Sequence, residues 1–188
     1  MSTSFLFLCL LGLGSFSFLF GRRRIRALSG AVSVKQHSRD VYHGSFVALC
    51  AVLVPLIVLL TWSGLSPLLL DAMLEDFLRR QSPDLSIGEM GVLIAKVKAY
   101  SVGSLPEAFA NDLIRNGSDY FALLRSNSNT ARSVAVILLA LGGLAYGAGK
   151  LAPRFTARPA VERVFEVVLI FASAIAILTT IGIVLSLI

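Results

Sequence analysis

An all-α integral membrane protein with four transmembrane helices, carrying a small helical extracytoplasmic insertion between the second and third, is the fold class this sequence predicts. Three observations predict it. The chain of 188 residues is 56% hydrophobic and only 15% charged, where a soluble domain carries about 25% charged residues. Its mean hydropathy is +0.80. Its apolar residues gather into four long runs, and its basic residues sit beside those runs instead of lining a groove interleaved with aromatics. The net charge of +6 therefore points to membrane topology, and nucleic acid is not an expected partner.

The first run, Ser4 to Phe20, has nothing basic before it, and Gly21-Arg22-Arg23-Arg24-Ile25-Arg26 follows it. A secretory signal carries its positive charge ahead of the apolar stretch and small residues at a cleavage site behind. Leu6-Phe7-Leu8 before Cys9 also makes a poor lipoprotein signal. A retained helix with its amino end outside is expected. The second run, about Ser45 to Leu65, is interrupted only by Pro55, which membrane helices tolerate. The third, about Ser133 to Gly149, is short and glycine-rich. Its 17 residues reach only about 26 Å at the helical rise, so Lys150 must snorkel or the bilayer must thin. Gly143 and Gly147 have the spacing that admits a close helix neighbour, though glycine is also simply common in membrane helices. The fourth run, Phe165 to Ile188, is long enough to span. It ends without a polar tail, which leads us to expect that the chain is the front part of a longer protein.

Charge orients these runs. Arg22, Arg23, Arg24, Arg26, Lys35 and Arg39 lie between the first two, opposed by Asp40 alone. Lys150, Arg154, Arg158 and Arg163 follow the third, opposed by Glu162 and Glu166. The segment 66–132 instead mixes seven basic with eight acidic side chains. The positive-inside rule puts the two basic loops in the cytoplasm and the balanced segment on the far side. Four divisions result: 1–65 with two spans and a basic loop, 66–132 as a periplasmic helical segment, 133–160 with the third span and its loop, and 161–188 as the last helix.

Within 66–132, Leu70, Met73, Leu74, Phe77 and Leu78 recur at helical spacing, with Asp71, Glu75, Asp76, Arg79 and Arg80 opposite. Ser82-Pro83-Asp84 breaks the pattern. A second helix is expected from Ser86 to Val102 around Met90, Leu93, Ile94 and Val97, closed by Gly103 and Ser104. Ser104-Leu105-Pro106-Glu107 reads as another helix start. A last helical piece is expected from Ser118 to Leu124, before the polar Ser126-Asn127-Ser128-Asn129-Thr130.

Chemistry-bearing patterns are absent. The sequence has no phosphate loop, nucleophile elbow, HExxH or CxxC, so no catalytic, cofactor-binding or metal-binding residue is expected, and no enzymatic activity. Cys9 and Cys50 lie in apolar runs and read as small buried residues. His37 and His43, six apart with Asp40 between, lack the spacing of a metal site and read as a loop packed on the membrane interface. No charged residue lies deep in a span, where a substrate path would place one. Glu166, one residue inside the last run, can pair with Arg163.

Two stretches carry a family resemblance. Gly21-Arg22-Arg23-Arg24-Ile25-Arg26, followed by His37-Ser38 and Tyr42-His43-Gly44 leading into the second run, resembles the amino-terminal extension of proteobacterial phosphate ABC-transporter permeases of the PstC type. Glu162-Arg163 with Ala174 to Leu187 resembles the glutamate-arginine start and first helix of the permease core. The resemblance implies a multi-pass protein of the bacterial inner membrane, part of an ATP-driven phosphate importer that does not itself hydrolyse ATP. Implied partners are a second permease subunit, cytoplasmic ATP-binding subunits, a periplasmic phosphate-binding protein and membrane lipid. It brings no substrate-binding residue to this chain, because the core helices that would carry one are not represented. The alternatives are a membrane sensor with a helical periplasmic input domain and a small self-contained scaffold.

Overall fold

The computed structural model describes residues 2–31, 40–151 and 156–187, and helix accounts for nearly all of them. Five α-helices follow one another: α1 (Thr3–Ala31), α2 (Asp40–Gln81), α3 (Ile87–Ser101), α4 (Asp112–Gly149) and α5 (Ala157–Ser186), with a single 3-10 turn at Glu107–Phe109. There is no strand among the described residues. Four of the helices (all but α3) are long and apolar enough to cross a membrane; α1, α2 and α4 each contain one of the expected runs, and α5 carries the fourth as far as Ser186.

The helices are longer than the runs. α2 is 42 residues long and passes through both Pro55 and Pro67, so the second run and the first amphipathic stripe of segment 66–132 form one helix. α4 is 38 residues long. It crosses the polar stretch 126–130, where the sequence suggests that the helical piece ends. The physical reason is tertiary. Ser128 Oγ accepts a hydrogen bond from Trp62 Nε1 at 3.1 Å and lies 3.0 Å from Ser66 Oγ, while Ser133 Oγ donates to the Asn129 carbonyl at 2.8 Å. Ser128, which would otherwise compete with the helix backbone, is thus engaged by α2, while Ser133 bonds back onto its own helix. The full helix is about 57 Å long at 1.5 Å per residue, so the short apolar run 133–149 is the final part of a longer rod.

The chain divides into two compact units. One comprises Met1–Phe7 with Pro55–Leu138, the other Leu8–Val54 with Leu139–Ile188. In the first unit, α3 and the adjoining parts of α2 and α4 form a small apolar core of Leu74, Leu78, Met90, Leu93, Val97, Ile114 and Phe121. Phe77 and Tyr120 stack beside it, ring centroids 4.2 Å apart. Ser86 starts α3 as its N-cap in a capping box with Glu89, each side chain satisfying the other's backbone N–H. Gly103, at φ +73°, ends it. The Ser104 N–H reaches the Ala99 carbonyl at 2.9 Å, a Schellman closure that needs the left-handed residue glycine accepts most readily. The 3-10 turn follows Pro106, but the new α-helix begins later, where Asn111 Oδ1 accepts from the Ile114 N–H at 2.9 Å.

In the second unit small residues let backbones touch. A Cβ on Gly44 of α2 would lie 2.7 Å from the Phe18 carbonyl oxygen of α1. A Cβ on Gly143 of α4 would overlap the Cys50 carbonyl of α2 and lie 3.1 Å from the Ala51 Cα. The close-neighbour reading of Gly143 and Gly147 is the one realised. α5 differs from the others: it buries only Ala157 and Val161.

Candidate functional site

Several residues singled out in the sequence lie in places the pattern alone does not give. His43 is part of α2, not of a loop, and is fully buried next to the Gly44 contact. His37 lies outside the described residues, as do Lys35, Arg39 and Arg154. Cys50 is partly buried, but Cys9 is exposed on α1, and both are free thiols. The ion pair at the start of α5 joins Arg158 to Glu162 at 2.6 Å, in place of the expected Arg163–Glu166 pair. Among the described residues no three His, Cys, Asp or Glu side chains gather into a possible metal site.

The two signature stretches meet within the second unit. Tyr42 and Glu162 line one shallow groove between the starts of α2 and α5. Arg158 donates to Glu162 Oε1 and lies 5.9 Å over the Tyr42 ring. A second cation at this end, Arg26, holds Asp40 at 2.6 Å. These exposed pairs fix local geometry more than they stabilise the fold.

A space lined by several charged and polar side chains lies in the first unit. It is a cavity of about 500 Å³ bounded by the amino end of α1, the middle of α2, the carboxyl end of α3 and the middle of α4. That volume is in the range of small-ligand sites, about 300–1,000 Å³. Three cationic side chains line it: Lys98, Arg125 and Arg132. Arg132 is only 7% exposed, and its guanidinium donates to Thr3 Oγ1 at 2.9 Å. Lys98 pairs at 2.5 Å with Asp71, the one carboxylate in the lining. Asn129 and Ser63 add an amide and a hydroxyl, and Ser63 Oγ is buried with no hydrogen-bond partner among the described residues. Leu70, Pro67 and Phe121 close the space with apolar surface.

Sequence periodicity does not find this site, because its members are far apart in the chain. Arg132 and Thr3 are 129 positions apart. The signal that could have found it is the position of Arg132 at the first turn of an otherwise apolar run, where membrane arginines are commonly functional.

A family model described as "Phosphate ATP-binding cassette transporter" matches residues 6–179, which takes in at least part of every described helix. No curated protein and no solved structure matches the chain. With four helices long and apolar enough to span a bilayer and a family match over most of its length, the chain is a multi-pass membrane protein that belongs to this phosphate ATP-binding cassette transporter family.

Proposed function

We propose that this chain is the amino-terminal part of a PstC-type permease, a subunit of a proteobacterial phosphate importer in the inner membrane. The observation that carries this reading is the family match across residues 6–179. The arginine cluster, the Tyr42-His43-Gly44 and Glu162-Arg163 signatures, and their meeting through Arg158 support the finer assignment. In this reading the basic ends of α1 and α5 face the cytoplasm and the helical segment 66–132 lies in the periplasm. The chain hydrolyses nothing. It works with a second permease subunit, ATP-binding subunits on the cytoplasmic side and a periplasmic phosphate-binding protein. Segment 66–132 is folded and stands on the side where substrate arrives, so its role is docking of the binding protein or stabilisation of the permease pair.

The test is deletion of residues 70–130 from the full-length permease in cells that depend on this importer. Reduced phosphate uptake, or a reduced yield of the purified complex, is expected. Unchanged uptake together with unchanged complex yield would sink the assignment of that role.

A further inference from the structure

We propose that the cavity lined by Lys98, Arg125 and Arg132 is a binding site for a phosphate-class oxyanion. Charge is the first argument. Lys98 keeps company with the one carboxylate of the lining, and Arg125, which lines the same space from an exposed position, adds a positive charge that attracts an incoming anion. Geometry is the second. Arg132 is held almost wholly out of solvent with one nitrogen on Thr3, which fixes the planar guanidinium that suits phosphate recognition. A charge-assisted hydrogen bond from this buried guanidinium counts for more than one at an open surface. Asn129 and Ser63 supply uncharged donors beside it.

Place is the third. The cavity lies where three membrane helices leave their apolar stretches: α1 at Thr3, α2 between Trp62 and Ser66, and α4 at Arg132. Tryptophan marks the headgroup level of a bilayer, and Trp62 donates to Ser128 on the same stretch of α4. Ser66 and Leu70 line both this cavity and a neighbouring apolar groove of about 560 Å³ formed with Leu65, Leu69 and Met73. The oxyanion can therefore come from either of two sources, free inorganic phosphate or the headgroup of an anionic phospholipid whose tail follows that groove.

Both sources are tested on the purified full chain in lipid nanodiscs. In phosphatidylcholine discs, equilibrium dialysis measures binding of radiolabelled inorganic phosphate. In discs of mixed phosphatidylcholine and phosphatidylglycerol, native mass spectrometry measures the anionic lipid retained after extraction. Saturable binding is expected in at least one arm, and the arm that responds identifies the source. Arg125→Gln should weaken it about tenfold, the loss of one charged hydrogen-bond donor. Asp71→Asn should strengthen it, which a purely structural role for these side chains would not produce. Arg125 is exposed and Asp71 partly exposed, so both variants leave the core intact, whereas Arg132→Gln removes a buried group. Absence of binding in both arms, or binding indifferent to Arg125→Gln and Asp71→Asn, would overturn the proposal. Uptake is not the readout, so the importer assignment and this site stand or fall separately.

Discussion

Gly143 shows how much one hydrogen atom can decide. Its neighbour across the helix contact is the backbone of Cys50 and Ala51, which cannot swing aside as a side chain can. Gly143→Ala should destabilise the protein by about 1–3 kcal/mol, the range for overpacking a filled site. Gly142, one position away, faces open space, and Gly142→Ala should leave the melting temperature in detergent unchanged. Equal melting temperatures for the two variants would refute the contact. Ser86 and Glu89 make a second local case. The Glu89 carboxyl accepts from the Ser86 hydroxyl at 2.7 Å and from its N–H at 3.0 Å, and these bonds hold it below the usual carboxylate range. A carboxyl with a lowered folded value contributes stability above its unfolded value, about 4.3, and that contribution is lost as pH falls through the lowered one. Protection factors of the amides in the first turn of α3, taken relative to intrinsic exchange at each pH, should therefore fall on acidification past about pH 4, and Glu89→Gln should flatten that dependence. Ser86→Ala should loosen the same turn at every pH, at a cost of about 1 kcal/mol.

At the scale of elements, amphipathic periodicity made α3 readable, because Met90, Leu93 and Val97 point into a core one face wide. The stripe on α2 was readable for the same reason at Leu74 and Leu78, while Met73 turns out half-exposed on the apolar groove. Leu74 and Val97 are wholly buried, so Leu74→Ala should cost about 2–5 kcal/mol in thermal or denaturant unfolding. A much smaller loss would mean that this core is not packed as described. The continuity of α4 was not legible. Ser126-Asn127-Ser128-Asn129 has the composition of a loop, and only the hydroxyl pair with Ser66 and the Trp62 indole, 62 and 66 positions away, explains why it stays helical. His43 was misplaced for a related reason. In sequence it belongs to the polar stretch ahead of the second run, yet α2 takes it in, and Gly44 beside it lets α1 pass too close for any side chain. The cavity is the extreme case, since it exists only once four helices have been assembled.

For the whole molecule, the number and position of the spans followed from hydropathy alone, because a bilayer imposes a length that sequence must meet. The sidedness of those spans rests on the basic clusters and is measurable. Reporter fusions at residues 100 and 188 should give external signals and a fusion at 155 a cytoplasmic one; any other combination would refute the orientation. The contrast between helices is as informative as their number. α4 seats a third of its most apolar window inside the protein, whereas the corresponding window of α5 is not buried at all. Its packing therefore comes from lipid or from other polypeptide, and substitutions along it should be read in the assembled complex, not in the isolated chain.

The staple at Ser128 has a mechanical meaning. α2 and α4 both continue from their apolar stretches into the small core without a connecting loop, and Trp62 and Ser66 pin one to the other beside Pro67, one of the two prolines at which α2 could bend. Within the first unit the two helices buttress each other there, and a sideways load on the joint falls on the Trp62–Ser128 and Ser66–Ser128 hydrogen bonds before it can open the helix at Pro67.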